Sequence, residues 1–118
     1  MSVLAESNGR GDVLLTRGVT NRLACRWLQK KDLNGDFLPV DLTNYTCTFE
    51  LHEIEGDNTI YSQPCDAHGS DGVAAVYIPP AVFTGTKWTS MTSGTWKMTA
   101  TINDTVELLG WGYWNMIN

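Results

Sequence analysis

The sequence predicts an all-β domain, built as a two-sheet antiparallel β-sandwich of about seven to nine short strands. Three observations support this class. Apolar and polar residues alternate along several segments, which is the period of a half-buried strand. Thr, Trp and Tyr are frequent, and Gly or Pro interrupts the chain at short intervals. Only Ala81–Ser90, which follows Pro80, has the pattern of a helical turn.

The 118 residues form one globular unit by composition, with 42% apolar and 18% charged side chains. We divide the chain into a flexible N-terminal arm at residues 1–12 and a β-sandwich domain at residues 13–118. The arm contains Ser7-Asn8-Gly9, which breaks regular structure, and it has no alternating pattern that would hold it in a sheet.

Turn residues separate eight predicted strands in the sandwich domain. In chain order they are Val13–Arg17, Thr20–Lys30, Phe37–Leu42, Thr46–Ile54, Thr59–Gln63, Gly72–Ile78, Gly94–Asn103 and Thr105–Ile117. Pro39 places the third strand at a sheet edge, and Ala67–Asp71 is expected to be loose. The alternation puts His52 on a solvent-facing side. It predicts a core shared by the large inward side chains Trp27, Phe49, Trp96 and Met98.

Charge is distributed unevenly along the chain. The net charge is −5, which argues against a general nucleic-acid binder. Residues 1–31 carry about +4 and residues 32–118 about −9. This asymmetry suits head-to-tail association, but it is equally compatible with solubilising charges placed without function. No apolar run reaches the roughly 20 residues that span a bilayer, so no membrane association is expected.

No motif in the sequence predicts catalysis, a metal or a cofactor. The three cysteines, Cys25, Cys47 and Cys65, are expected to be free thiols, because nothing at the N-terminus marks secretion. Residues 32–36 begin like a calcium loop, but Gly35 and Thr43 stand at the wrong positions, which favours a plain turn. The two histidines and Cys65 fit no zinc spacing.

Three segments resemble a known family. They are Arg17-Gly18-Val19-Thr20 with the strand after it, Leu38–Thr46 with its Asp-Leu-Thr turn, and the closing pair Gly94–Met98 and Leu108–Gly112. In this order they are similar to the immunoglobulin-like β-sandwich domain of tailed-bacteriophage baseplate and minor tail proteins. Val19 replaces the usual Asp, and Asn44 replaces the usual Gly. The resemblance implies a structural role in the virion, assembled in the cytoplasm of the host bacterium.

The last strand is apolar or aromatic on both faces. One row contains Leu109, Trp111 and Tyr113, and the other contains Leu108, Trp114 and Met116. A sandwich strand buries one face, so the second row needs a partner. Alternatively, a β-bulge at Gly110 or Gly112 turns both rows into the same core.

We therefore expect a non-enzymatic homo-oligomer that binds copies of itself and other virion proteins. In this hypothesis the arm and basic edge of one copy meet the acidic body of the next copy. The expected interface residues are Arg17, Arg22, Arg26, Leu109, Trp111 and Tyr113. The alternative function is a receptor- or carbohydrate-binding module that uses exposed aromatic side chains, namely Trp88, Tyr61 and Tyr113.

Overall fold

The computed structural model describes residues 2–6, 9–30 and 37–117, and strands dominate these ranges. Their bounds are Ser2–Glu6 (β1), Gly9–Arg10 (β2), Val13–Thr16 (β3), Asn21–Arg26 (β4), Leu28–Lys30 (β5), Phe37–Pro39 (β6), Thr46–His52 (β7), Thr59–Pro64 (β8), Ala67–His68 (β9), Val73–Ile78 (β10), Ser93–Ile102 (β11) and Thr105–Ile117 (β12). A 3₁₀ turn at Pro80–Thr84 and a short helix at Lys87–Ser90 (α1) complete the described structure. The predicted all-β class is confirmed.

The strands form two sheets and a separate hairpin. The four-stranded sheet has the order β1-β4-β10-β9, and the six-stranded sheet has the order β2-β12-β11-β7-β8, with β3 also paired to β12. Strands β5 and β6 pair with each other. Most pairs are antiparallel, but β1 lies parallel to β4, and β2 and β3 lie parallel to β12. The two larger sheets pack as a β-sandwich.

The core lies between the two sheets. Phe49, Trp96 and Met98 belong to its buried cluster, as the alternation of β7 and β11 predicts. Trp27 is only partly buried and packs edge-on against Tyr45, with ring centroids 5.8 Å apart. No helix in the described ranges is long and apolar enough to cross a membrane.

The N-terminal segment differs from the expectation of an irregular arm. Ser2–Glu6 pairs with β4 over its whole length, and Gly9–Arg10 pairs with β12. The expectation is wrong for these residues because strand pairing at a sheet edge requires only backbone N–H and C=O groups. An alternating apolar pattern is needed to bury a face, and its absence therefore says little about an edge strand.

The second predicted strand divides at Trp27. Its backbone N–H donates to Gly72 O at 2.8 Å, and its carbonyl accepts from Val40 N at 3.0 Å, so this residue leaves the ladder of β4. Gly72 has φ +76°, and a Cβ there would lie 2.6 Å from the Trp27 carbonyl oxygen. The chain beyond Trp27 forms the β5–β6 hairpin. The proposed calcium or turn residues 32–36 lie outside the described residues.

The turn before β7 is held by the Asp-Leu-Thr motif. Asp41 Oδ1 accepts hydrogen bonds from Thr43 N at 2.9 Å and Thr43 Oγ1 at 2.5 Å. These bonds hold the pKa of the Asp41 carboxyl below its usual value. Leu42 points into the core and is fully buried. The motif thus fixes the chain direction and anchors one core side chain.

One edge of the four-stranded sheet is closed by side chains. Strand β9, which the sequence did not predict, covers only Ala74 and Ala75 of β10. Beyond it, Tyr77 N donates to Asp66 Oδ2 at 2.6 Å, and Tyr77 O accepts from Gln63 Nε2 at 3.0 Å. Gln63 belongs to β8 of the other sheet, so its amide also links the two sheets.

Candidate functional site

A β-bulge decides which side chains of β12 face the core. Met98 pairs with Gly110 but Thr99 pairs with Leu108, which leaves Leu109 as the extra residue. Both Leu109 and Gly110 are buried. The parity of the strand changes there, so Leu109 faces inward before the bulge and Trp114 faces inward after it. The sequence left open a bulge at Gly110 or Gly112 that would turn both rows into the core. The structure has a bulge at Leu109 instead, and Trp111 and Tyr113 of the predicted first row stay exposed.

Two Trp–Gly pairs connect β11 and β12 on the C-terminal side of the bulge. Trp96 on β11 lies opposite Gly112 on β12, and Gly94 on β11 lies opposite Trp114 on β12. Trp96 Nε1 donates to Gly11 O at 2.7 Å, and Trp114 Nε1 donates to His52 O at 3.2 Å. Each indole therefore crosses a glycine to reach the backbone of another segment.

The outward side of β12 carries an aromatic pair. Trp111 is 39% exposed and Tyr113 is 42% exposed. The guanidinium of Arg10 lies 5.6 Å from the Trp111 ring centroid and 5.0 Å from that of Tyr113. Arg10 also binds Asp12 through two contacts of 3.2 Å. The hydrogen bond from Arg10, with that from Tyr113 N, lowers the pKa of the Asp12 carboxyl.

The predicted interface residues do not share one surface. Leu109 is 1% exposed, so its assignment to an interface was wrong: the bulge turns it into the core. Arg22 and Arg26 lie exposed on β4 in the other sheet, where the Arg22 guanidinium sits 5.7 Å from the Tyr77 ring centroid. Trp111 and Tyr113 therefore stand on the opposite face of the sandwich from these two cations.

The Arg17 side chain is engaged within the chain itself. Its guanidinium donates to the carbonyl of Trp88, at the helical turn. Its Nε is buried and has no hydrogen-bond partner among the described residues. The Arg17 backbone N–H donates to Ile117 O at 2.9 Å. This residue therefore ties the helical turn to the last strand.

His52 is buried although it occupies the predicted outward position. It is 7% exposed, because the turn at Asp57 folds over it. Its Nε2 lies 2.9 Å from Glu50 Oε1, and its Nδ1 lies 3.1 Å from Asp57 O. The expectation of a solvated histidine was wrong. The sequence signal for its burial is the acidic turn that follows β7 and contains Asp57.

A bowl of about 220 Å³ lies between His52 and Trp111 on the outer face of the six-stranded sheet. Its floor is the side chains of Thr95 and Lys97 with the backbone between them, one wall is Trp111 with Leu108, and the other wall is His52 with Asp57. Within the part of the chain that the structure describes, the side chains of Thr95 and Lys97 make no hydrogen bond. Their polar groups are therefore available to a ligand.

The three cysteines are free, as predicted, and two of them are fully buried. Burial raises the pKa of the Cys25 thiol to about 12, that of Cys47 to about 11 and that of Cys65 to about 12. A thiol with so high a pKa is a poor nucleophile near neutral pH. The described residues contain no group of three or more potential ligands that could hold a metal ion.

The aromatic residues of the alternative carbohydrate-binding hypothesis are mostly interior. Trp88 is buried and packs against Phe83, with ring centroids 4.9 Å apart. Tyr61 is partly buried and donates its hydroxyl to Gln63. Tyr113 is exposed as predicted, and Trp111 accompanies it. No protein-family model matches the chain, and no curated protein is similar enough in sequence to count as a relative.

Proposed function

We propose that this protein is a structural subunit of a tailed-bacteriophage particle, which works by packing against copies of itself and other virion proteins. The observation that carries the proposal is a pair of separate apolar patches on the surface. We name Leu14, Tyr113 and Ile117 the strand patch, and Phe37 and Leu38 the hairpin patch. All five side chains are exposed.

The strand patch is continuous across two neighbouring strands. Leu14 on β3 pairs with Asn115, the residue between Tyr113 and Ile117 on the outward side of β12. Side chains on the same face at diagonal positions of neighbouring strands lie within reach of each other. The patch therefore presents apolar side chains on the outer face of the six-stranded sheet.

The two patches lie towards opposite ends of strand β4. Asn21, at the start of β4, donates its amide to Thr16 O, and Thr16 pairs with Ile117. The hairpin follows the other end of β4. The molecule measures 50 × 27 × 25 Å. Two different patches at opposite ends fit a head-to-tail contact, which closes into rings or continues as a filament.

The virion assignment is supported by the order of the three resembling segments and by the structural role of the Asp41-Leu42-Thr43 turn. Assembly in the host cytoplasm agrees with three free thiols. The role requires no reaction, no cofactor and no nucleic acid. The partners are other copies of this chain and neighbouring virion proteins.

Sedimentation velocity of two patch variants tests the packing. The wild-type protein is expected to form concentration-dependent oligomers, and Phe37→Asp and Ile117→Asp are each expected to be monomeric alone. Because each variant keeps one intact patch, their mixture is expected to form heterodimers and nothing larger. Val106→Asp is the matched control, since Val106 is 63% exposed on β12 and outside both patches.

A wild-type protein that stays monomeric at about 1 mM overturns the packing proposal, because a specific assembly has a dissociation constant below that concentration. Equal disruption by Val106→Asp also overturns it, because charge alone would then explain the loss. The virion role is tested by mass spectrometry of purified particles of the phage that encodes the chain. Absence of its peptides from those particles overturns the virion role.

A further inference from the structure

We propose that the bowl between Trp111 and His52 is a binding site for a single uncharged sugar ring. This site is independent of the assembly role, because its floor belongs to β11, its second wall to the end of β7 and the turn after it, and Trp111 is not part of the strand patch. Neither element contributes to the strand patch or the hairpin patch. The proposal therefore stands or falls separately from the proposed function.

The bowl is lined by side chains from three neighbouring strands, β7, β11 and β12. Lys97 lies between Glu50 on one neighbouring strand and Trp111 on the other, and Thr95 lies between His52 and Tyr113. The His52 ring lies between Glu50 Oε1 and the Asp57 carbonyl, each within hydrogen-bond distance of one ring nitrogen, so this wall is held in one orientation. The indole of Trp111 is supported from the far side by β2, which carries Arg10.

The polar groups around the bowl select an uncharged ligand that both donates and accepts hydrogen bonds. The Lys97 ammonium disfavours a cation, and the carboxylates of Glu50 and Asp57 disfavour an anion. Thr95 and Lys97 offer donors, whereas Asp57 offers acceptors, and its side chain is 83% exposed. A polyhydroxylated ligand can satisfy both kinds of group at once, because every hydroxyl is a donor and an acceptor.

The aromatic wall and the volume of the bowl further restrict the class of ligand that can bind. An indole face packs against the apolar C–H face of a sugar ring while the ring hydroxyls remain free to hydrogen-bond at its edge. The volume of about 220 Å³ is smaller than the roughly 300–1,000 Å³ of sites for drug-sized ligands. The bowl therefore accommodates one ring, and a longer glycan would extend along the open sheet face.

The test is a titration of the ¹⁵N-labelled full chain with methyl glycosides of glucose, galactose, mannose and N-acetylglucosamine, followed by amide and indole chemical shifts. At least one glycoside is expected to bind with a millimolar dissociation constant, with shifts centred on Thr95, Lys97 and the Trp111 indole. Inorganic phosphate and spermidine, titrated as charged probes, are expected to leave these signals unchanged. Equal shifts with phosphate would overturn the uncharged-ligand assignment.

Three variants separate binding from folding. Trp111→Ala is expected to weaken binding at least tenfold, and Trp111→Tyr is expected to restore most of it because an aromatic face is retained. Thr95→Val keeps the side-chain shape but removes the hydroxyl, so it is expected to weaken binding without unfolding the sheet. Tyr77→Ala, on the outer face of the other sheet, is the control and is expected to bind normally. Absence of shifts with every glycoside at about 50 mM, well above a millimolar dissociation constant, overturns the proposal.

Discussion

Two indoles three positions apart on β12 have opposite environments. Trp114 is fully buried, and its Nε1 donates to the His52 carbonyl beneath Gly94. Trp111 is 39% exposed and stands beside Arg10 on the outer face. Both residues belong to β12, which carries apolar or aromatic side chains on each side. An odd spacing puts the two side chains on opposite faces of the strand, and the bulge at Leu109 sets which of them faces the core.

The difference shows that composition does not identify the functional face of this strand. A slip of one residue would bury Trp111 and Tyr113 and would expose Trp114 and Met116. The register is held against that slip by the glycines opposite the two buried indoles, since only a residue without a side chain leaves room for them. The following predictions test this contrast.

The largest expected effect is the loss of the buried indole. Trp114→Ala is expected to lower the free energy of unfolding by about 3–5 kcal/mol, since a large side chain leaves a cavity between the sheets. Urea denaturation followed by circular dichroism measures it. A loss below about 1 kcal/mol would show that the two faces of β12 have been assigned the wrong way round.

A smaller loss is expected at the glycine that faces the other indole. A Cβ at Gly112 would lie 2.2 Å from Gly11 O and 2.9 Å from Trp96 Nε1. Gly112→Ala is therefore expected to cost about 1–3 kcal/mol, through displacement of β12 or of the indole. Gly85→Ala is the control, because a Cβ there meets nothing within 4 Å. Equal stability of the two variants in thermal unfolding would contradict the close packing.

The buried thiol of Cys25 predicts a loss of stability at alkaline pH. Burial raises the pKa of Cys25 from 9.0 to about 12, so its contribution to stability is complete below pH 9 and is lost as the pH rises towards 12. Urea midpoints of the wild-type protein are expected to fall across this range, and those of Cys25→Ala are expected to fall less. Parallel pH profiles for the two proteins would show that this thiol is not the cause.

The smallest effect on stability is expected for Trp111, the indole on the outer face of β12. Trp111 is 39% exposed on the outer face, so Trp111→Ala leaves no cavity between the sheets, and the free energy of unfolding is expected to change by about 1 kcal/mol or less. The same urea experiment used for Trp114→Ala measures it. A loss of about 3 kcal/mol would place Trp111 with the structural residues and would remove the contrast between the two indoles.

Most of the fold was predictable because strand burial produces a two-residue period. The segments around Phe49 and Trp96 alternate strictly, and the structure confirms their inward faces. Edge strands have no such requirement, which is why Ser2–Glu6 and Ala67–His68 were missed. The division at Trp27 was also missed, because it depends on hydrogen bonds to Gly72 and Val40, which are distant in sequence.

The candidate site was predictable only in part. The sequence identified Trp111 and Tyr113 as outward candidates, but it grouped them with Leu109 because a bulge adds one residue without a sequence marker of its own. The cover over His52 and the bowl beside it depend on how the turn at Asp57 folds back. That contact is tertiary, and alternation along β7 carries no information about it.

The side chains that close the edge at Tyr77 limit how copies of this chain can join. Asp66 and Gln63 occupy the backbone donor and acceptor that another strand would need at that edge. A neighbouring molecule therefore cannot continue the sheet at Tyr77, and the capped edge works against fibrous aggregation. In the assembly proposed above, copies that meet at this edge would do so through side chains rather than through strand pairing.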